Sequence, residues 1–292
     1  VTITLKAVQE LAEMRVVPLS DHPGDLLKQS LRREDQQYQR ALTKYEAAVR
    51  RHKTEVGKAE QARDQARVQR RWLAWLRAAL GVRRIRRQAP VPPTAPAAGT
   101  PTNEQAKLAA GVRGEQFVAD ELGRELSDDW VLLRGYKNRR GEIDHLLLGP
   151  RGLVAIEVKN INGTVHCDGD EWRVDKYDSY GNLVEQYAIG DKSSRQRSPS
   201  EQLNEPADEL EQFLQSRGED VGVLRVVLLV HSRAEVGNCR KATVDIFTRA
   251  SEVIRLVGKV KQPFDPATRK RLEQLIIRDH RHHANRGASD RR

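Results

Sequence analysis

Residues 141–160 read GEIDHLLLGPRGLVAIEVKN. Two apolar runs flank the turn Gly149-Pro150-Arg151-Gly152, so the stretch is predicted to form a buried β-hairpin. With residues 149–152 as the loop, Leu148 faces Leu153, Leu146 faces Ala155, Asp144 faces Glu157 and Glu142 faces Lys159. Side chains alternate with period two, which puts these eight on one face. Ile143, His145, Leu147, Val154, Ile156 and Val158 take the other, almost wholly apolar, face. The first face is apolar near the turn and charged at the far end.

Charge inside a buried hairpin needs a partner or a task. Directly opposed residues have Cβ atoms roughly 4.5–5.5 Å apart, and like charges there are destabilising. Asp144 against Glu157 is such a conflict unless something positive lies between them. A hard divalent cation resolves it, since Mg²⁺ takes one or two carboxylates together with water and phosphate oxygens. Lys159, two residues from Glu157 on the same side, is placed to contact a phosphate or an attacking water. A purely structural reading stays open: Glu142 and Lys159 as a cross-strand ion pair, and Asp144 protonated or capping a loop.

The charge balance points outward. Lys and Arg number 51 against 41 Asp and Glu, a formal net charge of +10. Such an excess favours nucleic acid or another anionic surface as partner. The two cysteines, Cys167 and Cys239, form no CxxC and no zinc spacing, so a reducing cytoplasm is expected. The first residues lack an apolar signal core, and no run reaches the roughly 18 apolar residues of a membrane span. Walker A, GxGxxG and GxSxG patterns are absent from the sequence, leaving ATP hydrolysis and serine-type catalysis without support.

Along the chain, residues 1–26 read as a short helix or two and a turn, with SDHPGD as a breaker. From Leu27 to Leu80 a thin apolar stripe at Leu31, Tyr38, Leu42, Tyr45, Val49, His52, Val56 and Ala59 predicts a long helix, either a coiled coil or a helical hairpin. It closes with RVQRRWLAWLRAALGVRRIRRQ, and no acid occurs between Asp64 and Glu104. Arg67, Arg70, Arg71, Arg83, Arg84, Arg86 and Arg87, together with Arg77, are the candidate nucleic-acid contacts. Trp72, Trp75 and Leu76 among them have three readings: packing on a partner helix, lying on an anionic membrane, or assisting a phosphate grip.

APVPPTAPAAGTPTN reads as an extended linker. The expected organisation is a basic helical module over 1–87, a Pro/Ala-rich disordered linker over 88–103, an α/β domain over 104–278 and a basic disordered tail over 279–292 that includes His280, His282 and His283. Within the α/β domain the order is helix, three strands, a further hairpin, helix, two strands and closing helices. That describes an α/β sheet with helices on its faces.

Several motifs of this domain recur together in one family. Gly111-Val-Arg-Gly114-Glu115, Glu142-Ile-Asp144-His145, Gly152-Leu-Val-Ala-Ile-Glu157-Val-Lys159-Asn160, Asn162-Gly163 followed by Trp172, and Pro199 with Gln202 stand in order. From about Ala109 to Ser232 the chain thereby resembles the nuclease-related domain (NERD), a branch of the PD-(D/E)xK endonuclease-like superfamily. The resemblance implies a restriction-endonuclease-like mixed sheet flanked by helices, and phosphodiester hydrolysis dependent on Mg²⁺, with Mn²⁺ as a substitute. It implies Asp144 and Glu157 as metal ligands, aided by the Val158 carbonyl, with Glu115 reaching the site directly or through water. Lys159 would orient or deprotonate the water or stabilise transition-state charge, and Gln202 would position a ligand or the substrate backbone. Ile143 stands where the wider superfamily has Pro, as in NERD-like sequences generally. Without the resemblance, Glu115 and Gln202 read as solvated residues of first helical turns. The function expected is a cytoplasmic metal-dependent nuclease, acting on DNA rather than RNA, with a helical arm that tethers it to nucleic acid, to itself or to an anionic membrane surface. The competing expectation is a non-catalytic scaffold that keeps the fold.

Overall fold

The computed structural model describes residues 13–95, 101–190, 196–259 and 263–289. The chain divides into two compact units, one of Leu26–Ala106 and one formed by the chain up to Asp25 and from Lys107 onward.

Helix α1 (His22–Val68) supplies most of the smaller unit, and α2 (Trp72–Arg87) follows it. The predicted helix does not run through to Leu80. It stops at Val68, and Arg70 turns the chain with φ of 54°, a left-handed conformation that a helix cannot contain. Of the two forms left open by the sequence, the chain takes the hairpin. His52 Nε2 donates to the Ile85 carbonyl at 2.8 Å, Arg86 pairs with Glu60, and Val82 is buried. Residues 89–95 of the predicted linker have no regular structure, and 96–100 lie outside the described residues.

Of residues 1–26, expected as helix and turn, 1–12 lie outside the described residues, and a strand stands at Arg15–Pro18. Strand β1 (Arg15–Pro18) runs parallel to β2 (Val131–Lys137). Its RVVP sequence favours extended backbone but is too short to show a period. Helix α3 (Asn103–Glu125) leads into β2, β3 (Glu142–Gly149) and β4 (Gly152–Lys159). There follow β5 (Gly163–Asp168), β6 (Glu171–Tyr177), β7 (Leu183–Ile189), α4 (Pro199–Ser216) and β8 (Val223–Leu229). The chain continues through β9 (Ala234–Arg240), β10 (Asp245–Phe247), α5 (Ala250–Val257) and α6 (Pro266–Ser289). One mixed sheet has the order β1-β2-β3-β4-β8-β10, and a second mixed sheet has the order β7-β6-β5-β9. The single expected sheet is thus two. Strand β9, AEVGNCR, has neither alternation nor an apolar run to announce it.

Strands β3 and β4 lie in the middle of the first sheet and are covered on both faces, which is why they read as nearly continuous apolar runs. Leu146, Leu148, Leu153 and Ala155 pack with Leu203 and Leu210 of α4, Leu272 and Ile276 of α6, and Trp172 and Val174 of the second sheet. Leu147, Val154 and Ile156 pack with Val118 and Leu122 of α3 and Val253 and Val257 of α5.

The predicted disordered tail is helical through Ser289, with 290–292 outside the described residues. Leu272, Ile276, Asp279 and His280 recur at helical spacing and are all buried. The Tyr136 hydroxyl donates to Asp279 Oδ2 at 2.5 Å, and the Lys137 N–H donates to His280 Nδ1 at 3.1 Å. These bonds dock α6 across the end of β2.

The two glycines of the G-x-x-G-E motif differ in what they do. A Cβ on Gly114 would lie 2.9 Å from Val230 Cγ2 and 3.5 Å from Val158 Cγ1, whereas a Cβ on Gly111 would meet nothing. Gly114 is therefore what lets α3 settle onto β4, one residue before Glu115. Gly114→Ala is expected to destabilise the protein by about 1–3 kcal/mol in urea unfolding. Gly111→Ala is expected to be neutral or to stabilise by up to about 1 kcal/mol. Equal effects at the two positions would contradict the close approach.

Candidate active site

The hairpin register read from the turn holds over its apolar half. Leu148 pairs with Leu153 and Leu146 with Ala155, and the ladder between β3 and β4 ends at His145 opposite Ile156. Beyond that point β4 pairs with β8, Glu157 opposite Val227 and Lys159 opposite Leu229, while β3 pairs with β2, Glu142 opposite Lys137. The predicted backbone pairs Asp144–Glu157 and Glu142–Lys159 are therefore not made.

Asp144 also lacks a ladder partner on its other side, although the register there does not shift. The β2–β3 pairing steps from Arg134 opposite His145 to Tyr136 opposite Ile143, skipping Gly135, whose φ is +70°. The strict alternation breaks here. Ile143, predicted on the face opposite Leu146, packs in the same cluster as Leu146, Leu148 and Tyr136. The Asp144 carboxylate bridges the opening instead, accepting the Val158 N–H at Oδ2 over 2.7 Å.

The charged side chains of the hairpin converge at this opening. Lys159 Nζ donates to Glu157 Oε1 at 2.5 Å and to Gln202 Oε1 at 2.8 Å. Gln202 is held in turn by donating from Nε2 to the Arg197 carbonyl at 2.6 Å. Its place in the first turn of α4 follows from a capping box: the Ser198 hydroxyl accepts the Glu201 N–H at 3.3 Å, and the Ser198 N–H donates to Glu201 Oε2 at 2.9 Å. Pro199 fits the position after the cap because its missing N–H costs nothing there.

Burial, and after it the crowding of charges, sets the protonation of Asp144 and Glu115. Burial pushes the Asp144 carboxyl well above its ordinary range, the Glu157 and Glu115 charges push it further, and Lys159 and the Val158 N–H offset only part. For Lys159, burial alone would favour the neutral amine, but Glu157 and Asp144 outweigh it and hold the ammonium above its usual pKa. Glu115, only 8% exposed, is pushed up to about 7 by burial, against the pull of Arg134 and with the push of Glu142, Asp21 and Glu157.

Glu115 reaches the group from α3. Arg134 Nη2 stands 4.0 Å from its Oε2, and Arg134 Nη1 donates to Gln116 Oε1 at 2.8 Å. The buried His145 donates from Nε2 to the Glu115 carbonyl at 3.1 Å, fixing the helix at that residue, and its Nδ1 has no partner. Burial and Arg134 lower the His145 pKa to about 3, so the ring is neutral. Glu142 does not meet Lys159. Its Oε1 accepts from the Ser20 hydroxyl at 2.7 Å, and Ser20 covers Gly135 at the end of β1.

The structure thus brings Asp144, Glu157, Lys159 and Gln202 together and sets Glu115 beside them. Among the described residues, no group of three or more His, Cys, Asp and Glu side chains is arranged to hold a metal ion. Arg67, Arg70, Arg71, Arg83, Arg84, Arg86 and Arg87 are all exposed and belong to the other unit. Arg134, His145 and Ser20 carry no role in the sequence reading. Arg134 and His145 had a signal, each being a polar residue inside an apolar strand. Ser20 had none.

A mixed sheet whose central hairpin opens onto an acid–lysine cluster, with a helix glutamate alongside, is consistent with a PD-(D/E)xK-like nuclease domain. Compared with known families, residues 110–230 match the model of the nuclease-related domain, NERD, so this stretch of the chain is a nuclease-related domain. No curated protein and no solved structure matches significantly. No described helix is long and apolar enough to cross a membrane.

The raised carboxyl at Glu115 has a consequence for stability. Between its ordinary 4.5 and about 7, the native state holds the proton more tightly than the unfolded chain. Stability therefore falls as pH rises through that window. In the absence of divalent cations, Glu115→Gln is expected to raise stability at pH 8 by up to about 3 kcal/mol and to have little effect near pH 4.5. Thermal melting of both proteins across pH checks this; a difference independent of pH contradicts it.

Proposed function

We propose that the nuclease-related domain hydrolyses phosphodiester bonds, with DNA as substrate, at the opening between β3 and β4. The observation that carries this reading is the convergence of Asp144, Glu157 and the Lys159 ammonium where the backbone ladder ends. Ladder-free backbone and crowded charge are unfavourable for a sheet core, and a polyanionic substrate is what such a group can act on.

The donor set fits a hard cation. Asp144, Glu157 and the Val158 carbonyl offer oxygen ligands only, and the Asp144 carboxyl, pushed upward by burial and then by the Glu157 charge, is a group that a cation relieves. Mg²⁺, or Mn²⁺ in its place, would be held by Asp144 and Glu157 with the Val158 carbonyl. Water and phosphate oxygens would complete its shell, and Glu115 would reach it through water. When bound, the ion supplies Lewis-acid polarisation of the phosphoryl group and a more acidic water.

The remaining roles belong to the chain. Lys159, kept charged by Glu157 and Asp144, acts as an electrostatic donor to the phosphoryl oxygen or orients the water, and is poorly suited to take a proton. Gln202 positions Lys159 by accepting from Nζ while anchored on the Arg197 carbonyl. His145 and Gly114 set the depth at which α3 presents Glu115.

A second reading, a non-catalytic nucleic-acid-binding domain that keeps the fold, is favoured by the Glu157–Lys159 ion pair at 2.5 Å, in which the acid already has a cation. Cleavage of plasmid and linear DNA with Mg²⁺ separates the two. Asp144→Asn, Glu157→Gln and Lys159→Met are each expected to lower the rate at least about 10²-fold. Full activity in Asp144→Asn and Lys159→Met would place the chemistry elsewhere. No hydrolysis by the wild type, with no rise of Tm in Mg²⁺ or Mn²⁺, would favour the second reading.

A further inference from the structure

The smaller unit carries a surface that the proposed hydrolysis does not use. In α2 one side faces α1: Val82 is buried, and Ala78 and Ile85 are partly covered. The opposite side is open. Trp72, Leu73 and Leu80 are 66%, 62% and 60% exposed, and Leu76 is 41% exposed. At about 100° per residue these four side chains fall within an arc of roughly 100°, which is the width of an apolar helix stripe. The packing partner expected for Trp72 in one sequence reading is not α1.

Arginines close both ends of this stripe. Arg70 and Arg71 precede it, and Arg83, Arg84 and Arg87 follow it, all exposed. Arg83 and Arg87 continue the same outward arc. Between Asp64 and Glu104 the sequence has no acid to neutralise them. The chemistry is that of a helix lying in a bilayer interface, with aromatic and aliphatic side chains below and guanidinium groups at headgroup level.

We propose that the outer face of α2 docks onto an anionic lipid bilayer, which would place the nuclease-related domain at a membrane surface. The alternatives match fewer of the features. Nucleic-acid phosphates reward the arginines but give Leu73, Leu76 and Leu80 nothing to bury against. A second copy of the same face would cover the leucines but set unneutralised arginines against arginines.

Flotation of the full chain tests this, using vesicles of two parts phosphatidylcholine to one part phosphatidylglycerol beside vesicles of phosphatidylcholine alone. The chain is expected to float with the anionic vesicles only, with a blue shift of tryptophan emission, since Trp130 and Trp172 are already buried. Trp72→Glu/Leu76→Glu and Arg83→Gln/Arg84→Gln/Arg87→Gln are each expected to weaken binding at least about tenfold. These positions are exposed, so unchanged circular dichroism is expected in both variants. Absence of flotation overturns the proposal, as does flotation that survives Trp72→Glu/Leu76→Glu. A wild-type dimer that this variant converts to monomer, without vesicle binding, would assign the face to self-association. DNA retention lost in the arginine variant alone, without vesicle binding, would assign it to nucleic acid.

Discussion

The Val158 N–H is bonded to a side chain, the Asp144 carboxylate at 2.7 Å, where a hairpin would ordinarily supply a strand carbonyl. This bond sits just past the last β3–β4 pair and beside the skipped pair at Gly135. The two most buried strands of the sheet therefore part at their polar end without leaving that N–H unmet, a loss that would cost about 1–3 kcal/mol. The opening gives Glu157, Lys159 and Gln202 a common place to meet. A longer ladder would press Asp144 against Glu157; a wider gap would leave the Val158 N–H without its acceptor.

Electrostatics and packing pull against each other at this point. Asp144 and Glu115 are both pushed toward the neutral acid, while Lys159 is pushed toward the charged ammonium. One cation does not balance the acids gathered around it. The core tolerates the imbalance because it is anchored on several sides: α3 by the close approach at Gly114 and by His145, α4 by its capping box, and β1 by Ser20 over Gly135.

Much of this was legible in the sequence. The GPRG turn sets the register, and alternation correctly places Leu146, Leu148, Leu153 and Ala155 together. The sequence set Asp144 directly against Glu157 across the hairpin, and that pair is not made; the Glu157 charge still pushes the Asp144 carboxyl upward, while Lys159 bonds to Glu157. Alternation fails at Asp144 because it assumes a continuous ladder, and nothing local marks where two strands part. Strand β1 and strand β9 escaped because pairing with a sheet edge is decided by tertiary contact rather than by four or seven residues of pattern. The helix break at Arg70 has no glycine or proline to announce it. The end of α6 looked like a polar tail because its buried residues include Asp279 and His280, whose partners Tyr136 and Lys137 lie far away in sequence.

The nuclease-related domain holds the charged opening, and the helical hairpin, inserted in the chain between β1 and the rest of that unit, holds an arginine-bounded apolar face. On the proposed reading, the opening between β3 and β4 is a cation-accepting acid pair rather than a self-satisfied salt bridge. An anomalous difference map from crystals soaked in Mn²⁺ tests it most directly. One peak is expected within coordination distance of both the Asp144 and Glu157 carboxylates. No peak there, with Lys159 still bonded to Glu157 at saturating Mn²⁺, would contradict it.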